Sequence, residues 1–80
     1  MDTKIGVLAI IIDDADAVER VNALLHVYRE NIIGRLGIPV KDRSISVISI
    51  AMDATSEIIN GLSGKLGMIK GVTVKAVHTK

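Results

Sequence analysis

The chain has 80 residues, 49% of them hydrophobic, with a single aromatic residue, Tyr28, and no cysteine. Its formal net charge is +1 and it holds no basic run, so the electrostatic footprint of a nucleic-acid binder is missing. The lack of cysteine excludes disulfides, zinc–thiolate sites, iron–sulfur ligation and thiol catalysis.

One domain over residues 1–80 is expected, small enough to bury only about 60% of its unfolded surface. The first strand spans about Lys4 to Asp13. Its apolar run from Ile5 to Ile12 is far short of the roughly 20 residues of a membrane helix. Acidic residues follow directly and no small-residue cleavage site ends it, unlike a secretory leader. A cytoplasmic protein with no membrane partner is the expectation. Asp16 and Glu19 have the spacing of a capping box. Val18, Val21, Leu25 and Tyr28 then recur as one stripe of a helix, with Arg20, Asn22, Arg29 and Glu30 mostly off it.

The second strand is expected from about Asn31 to Leu36. Gly34, Gly37 and Pro39 interrupt this region and mark it as a sheet edge, because proline cannot donate to a ladder. Lys41-Asp42-Arg43 reads as a polar turn and Ser44 to Met52 as the third strand. Asp53 is expected to cap a second helix with Ile58, Leu62, Leu66 and Ile69 in its stripe. Gly61 and Gly64 inside that helix each cost about 1 kcal/mol relative to Ala, which points to close packing there. Gly67 or Gly71 can supply a left-handed end. The last strand runs from Val72 to His78.

The two halves repeat. IGVLAIIID from Ile5 aligns with ISVISIAMD from Ile45, and Val7, Ile10 and Asp13 fall on Val47, Ile50 and Asp53. Each run is followed by a helix and a β-branched segment. Tandem βαβ halves close as an α+β, ferredoxin-like βαββαβ sandwich: a four-stranded antiparallel sheet with two helices on one face. Right-handed crossovers place the first and third strands at its centre.

Both faces of those strands are apolar, since alternate residues point to opposite sides. The bulkier set, Leu8, Ile10, Ile12, Ile48, Ile50 and Met52, is expected under the helices. The other set includes Ile5, Val7, Ile11 and Val47. Burying each such side chain is worth about 1.5–3 kcal/mol. A homo-oligomer is therefore expected, with this face or the adjacent edge strands as its contact.

Chemistry is sparse. His26 and His78 are the only histidines, far apart in sequence, so neither a catalytic set nor a metal site is expected. The glycines around Arg35 and Lys65 lack the spacing of a phosphate loop. Asp13, Asp14 and Asp16 cluster after the first strand, where turn formation and helix capping account for them. Asp13, Asp14 and Arg35 remain the candidates for a ligand site, Arg35 because a guanidinium can clamp a carboxylate with two prongs. No cofactor is expected.

The segments IGVLAIIIDD, HVYRENIIGRLGIP, ISVISIAMDAT and LSGKLGMIKGVTVKAVHTK resemble the family of iron-only hydrogenase system regulators, over nearly all of the chain. IIGRLGIP and LSGKLG are the most specific parts. The wider resemblance is to ACT domains and to the C-terminal domain of the nickel-responsive repressor. It implies an ACT-like domain that self-assembles and binds a small effector between subunits. The loop Asp13-Asp14-Ala15-Asp16 lacks the glycine of amino-acid-binding ACT domains, and the repressor's Cys-containing nickel set has no counterpart. A first strand at about Lys4 leaves no room for a preceding DNA-binding module, so direct nucleic-acid binding is not expected. Two functions follow: a non-enzymatic, effector-binding regulatory module, or a structural adaptor that assembles without a small ligand.

Overall fold

A computed structural model describes residues 2–79; the two end residues of the domain expected over 1–80 lie outside the described residues. Strand β1 (Lys4–Ile12) leads through a 3-10 turn at Ala15–Ala17 into helix α1 (Val18–Val27). A second 3-10 turn precedes β2 (Ile32–Val40), and a third, at Lys41–Arg43, joins it to β3 (Ile45–Ala54). Helix α2 (Ser56–Gly67) and strand β4 (Val72–His78) complete the chain. The sheet order is β2-β3-β1-β4, with every neighbouring pair antiparallel. This is the ferredoxin-like sandwich expected from the repeat, with the two most apolar strands at its centre.

The core lies between one sheet face and the helices. Leu8, Ile10 and Ile12 of β1 and Ile48, Ile50 and Met52 of β3 are all buried. Val21 and Leu25 of α1, with Ile59, Leu62 and Leu66 of α2, close over them. All are aliphatic, and no polar side chain is buried with them among the described residues. Gly6 belongs to this layer: a Cβ there would approach Ile59 Cδ1 to 2.9 Å, so its absence lets α2 settle on β1.

Both helix starts differ from the expected ones. Asp14, not Asp16, caps the first turn, its Oδ1 accepting from the Asp16 amide at 2.9 Å. The carboxylate two residues upstream meets the turn because a 3-10 segment precedes α1. At the second helix, β3 continues through Asp53 to Ala54, and Thr55 is the cap, its Oγ1 accepting from the Ile58 amide at 3.3 Å. Within α2, Ile59 takes the fully buried position, with Ile58 partly buried beside it. Gly61 and Gly64 do not mark a close approach. A Cβ on Gly61 would come only to 3.9 Å from the Tyr28 hydroxyl, and one on Gly64 would meet nothing within 4 Å. Of the two glycines expected to end α2, Gly71 has the left-handed conformation, with φ of 86°.

β2 is longer than the sequence suggests. It runs through Gly37 and Pro39 to Val40, which an edge strand tolerates because one side of its ladder is unpaired. Thr55→Ala is expected to cost about 1 kcal/mol of stability through loss of its cap, whereas Asp53→Ala should change stability by less than about 0.5 kcal/mol. Urea unfolding of the two variants checks the assignment.

Candidate functional site

The face of the sheet away from the helices is apolar and uncovered. Cross-strand partners share a face, so the register defines its rows. One row joins Gly34, Ala51, Val7 and Val77; the next joins Leu36, Ser49, Ala9 and Lys75; a third joins Ile38, Val47, Ile11 and Thr73. Ile5 and Ile11 are each 45% exposed, Leu36 is 59% exposed and Val77 71%. Val47 is half-buried by its neighbours. Ile5, Val7, Ile11 and Val47 thus lie together on one surface, and the edge strand β2 continues it. Seven of the nine residues of β2 are exposed.

On the helix side, a register shift between Ile32 and Gly34 decides where Arg35 points. Ile32 pairs with the buried Met52. Strict alternation would then put Arg35 on the uncovered face. Ile33 is instead an extra residue, a β-bulge, and Arg35 pairs with the buried Ile50. The guanidinium therefore lies beside α1, where its Nη2 donates to Asn22 Oδ1 at 2.6 Å. Asn22 and His26 of α1 and Arg29 of the 3-10 turn after it line a cavity of about 280 Å³ with Leu25, Ile32 and Arg35. Arg29 Nη1 donates to the His26 carbonyl at 2.9 Å.

Asp13 and Asp14 sit at the other end of β1. The Asp13 amide donates to the Gly71 carbonyl at 2.9 Å, and a Cβ on Gly71 would run into Asp14 Cβ. These aspartates hold the loop before α1 against the loop before β4. Asp14 also lines a cavity of about 220 Å³ with Asp16, Arg20 and Lys70, among others. The structure thus separates the three candidate ligand residues: no cavity described contains Arg35 together with Asp13 or Asp14. Asn22, His26 and Arg29 were not singled out as ligand residues from the sequence, although their spacing carried the signal. His26 is exposed, and His78 Nδ1 lies 2.8 Å from the Thr79 carbonyl oxygen. Among the described residues no group of three or more His, Cys, Asp or Glu is placed to hold a metal ion. No helix of the described residues is long and apolar enough to cross a membrane.

Gly71→Ala is expected to lower stability by more than about 1 kcal/mol, because alanine there is both left-handed and in collision with Asp14. A thermal melt of this variant beside Gly64→Ala, which meets open space on a helix and should be neutral or stabilising, checks the role of that contact.

Comparison with known proteins gives this geometry a family. No curated protein matches the chain. Among solved structures, the uncharacterized protein TM1266 from Thermotoga maritima is 38% identical, with a TM-score of 0.94 over 99% of this chain and 100% of that one. CPII, a nitrogen regulatory PII-like protein from Thiomonas intermedia K12, is 17% identical, with a TM-score of 0.55 over 99% of this chain and 94% of its own. A formyltetrahydrofolate deformylase from Pseudomonas putida KT2440 is 15% identical, with a TM-score of 0.59 over 95% of this chain but only 28% of that enzyme. The last two show the shared fold alone. A family model described as "Iron-only hydrogenase system regulator, putative" matches residues 4–76, and the chain belongs to that TM1266-like family.

Proposed function

We propose that this chain is a non-enzymatic regulatory module of an iron-only hydrogenase system, acting in the cytoplasm as a homo-oligomer that binds a small effector. The observation that carries the self-assembly is the uncovered sheet face. Ile5, Val7, Ile11, Leu36, Ile38 and Val77 are all substantially exposed on a domain of only 80 residues. A contiguous apolar surface of this kind marks an interaction site, and the copy of the chain that carries it is always available as the partner. Gly34, which has no side chain, and Ala51 opposite it allow another surface to approach the backbone closely. Regulation through a ligand is supported by family membership and by the fold, since the similarly folded CPII is described bound to ADP, AMP and bicarbonate. Asp13 and Asp14 at one end of the sheet and Arg35 at its edge are the residues proposed to serve the effector. With Arg35 in a separate cavity, a neighbouring subunit would have to bring them together.

Sedimentation velocity tests the assembly. The wild-type chain is expected to sediment as an oligomer at micromolar concentration, and Ile11→Glu as a monomer that keeps its circular dichroism. A wild-type monomer would contradict the proposal. A thermal-shift screen over amino acids, nucleotides and divalent cations tests the effector, because a ligand held only by the native state raises its melting temperature. No shift with any of them would favour an adaptor that assembles without a ligand.

A further inference from the structure

The groove between α1 and β2 holds features that neither the core nor the uncovered face explains. Two cavities, of about 280 and 180 Å³, adjoin at the hydrogen bond between Asn22 and Arg35, and both residues line both cavities. The larger carries the positive charge of two arginines over a lining that is mostly apolar. His26, Arg29, Arg35 and Asn22 stand around a floor of Leu25 and Ile32, with no acidic residue in the lining. The smaller is apolar. Val18, Pro39, Ile12 and Ile48 are among its walls, and Arg35 is its one charged residue.

Two local irregularities of β2 create this arrangement. The bulge at Ile33 turns Arg35 from the uncovered face into the groove. Gly37 then leaves the groove open. It pairs with the buried Ile48, so its missing side chain would stand on the helix side, and a Cβ there would meet nothing within 4 Å. Its φ is not positive, so no turn requires glycine. A glycine inside a strand forgoes stability, and one that neither the backbone nor the packing demands leaves room for something to approach.

The two arginines are held in place and keep donors to offer. Arg35 is braced through Nη2 to Asn22, and Arg29 through Nη1 to a backbone carbonyl. Each guanidinium has five N–H donors, so the remaining ones can bind a carboxylate, and neither recorded bond goes to an acidic side chain. The basic cavity next to an apolar one matches a molecule with a charged head and a short hydrocarbon tail. A volume of about 280 Å³ falls just under the roughly 300–1,000 Å³ of ligand pockets, which suits a small acid.

We propose that the α1–β2 groove binds a small organic acid, its carboxylate on Arg35 and Arg29 and its apolar part over Gly37, between Val18 and Pro39. This rests on the effector-binding reading and names the ligand class and the site. It moves the site away from Asp13 and Asp14: the Asp13 amide donates to the Gly71 carbonyl, and the Asp14 carboxylate caps the turn before α1.

The test is a titration of the uniformly labelled full chain with acetate, hexanoate, hexanamide and inorganic phosphate, followed by amide resonances and by calorimetry. Hexanoate is expected to shift the amides of Asn22, His26, Arg35 and Gly37 and to bind more tightly than acetate, with hexanamide inert. Arg35→Gln should weaken hexanoate by about tenfold or more. Gly37→Val should reduce hexanoate to the level of acetate while leaving acetate unchanged, and Gly37→Ala serves if valine disturbs the strand. Circular dichroism and sedimentation of each variant establish that fold and assembly persist. Equal responses to hexanoate and hexanamide overturn the proposal, as does binding of phosphate without hexanoate or an Arg35→Gln variant that binds like wild type. A ligand from the thermal-shift screen whose resonance shifts lie wholly outside the groove overturns this site and leaves the effector module standing. Silence in both experiments overturns both.

Discussion

The antiparallel pairing of β1 with β3 is the constraint on which the rest depends. It runs from Lys4 opposite Ala54 to Ile12 opposite Ser46, and it joins the two halves of the repeat. Each strand is aliphatic on both sides, so the pair needs cover above and below. The helices supply it on one side, where Leu8, Ile10, Ile50 and Met52 are at most 1% exposed. On the other side no element among the described residues lies over Ile5, Val7 and Ile11, which stay close to half exposed. A domain of this size has little area with which to hide a central sheet twice, and assembly is the direct physical remedy.

Much of the fold was legible because two periods are strong in this sequence. Alternation in β1 and β3 separated Leu8, Ile10 and Ile12 from Val7 and Ile11, and the bulkier set lies under the helices. The limits of the helices were less legible. Asp14 and Asp16 are chemically equivalent caps, and only the 3-10 turn between them selects Asp14. Ile58 and Ile59 are identical neighbours, so periodicity alone could not choose which one is fully buried; in the fold it is Ile59 that packs over Gly6. β2 resisted for another reason. Gly37 and Pro39 disfavour a strand interior, yet an edge position removes most of their cost.

The candidate groove was the least legible part, and a single residue explains why. Alternation counted from Ile32 sends Arg35 to the uncovered face. The bulge at Ile33 reverses that, and Gly34, which reads equally as a mark of a sheet edge, is its one sign in the sequence. Without a face for Arg35, nothing in the sequence joins it to Asn22, His26 and Arg29, of which Asn22 and Arg29 read as lying off the apolar stripe. In the folded chain they form one wall of a cavity whose other wall is Arg35. The same strand thus contributes to both surfaces: Leu36 and Ile38 extend the apolar face, while Arg35 and Gly37 look into the groove. Coupling between the proposed ligand and the proposed assembly would have a short physical path through β2, because a molecule in the groove would touch the strand whose other face continues the apolar surface.

The dependence of chemical unfolding on protein concentration tests the central claim most directly. If the second face of the β1–β3 pair is covered by another copy, folding and association are linked by mass action, and the denaturation midpoint rises as the chain is made more concentrated. A midpoint that stays constant over the accessible range, with a single unfolding transition, would mean that one copy is stable with its aliphatic face in water and would contradict the account.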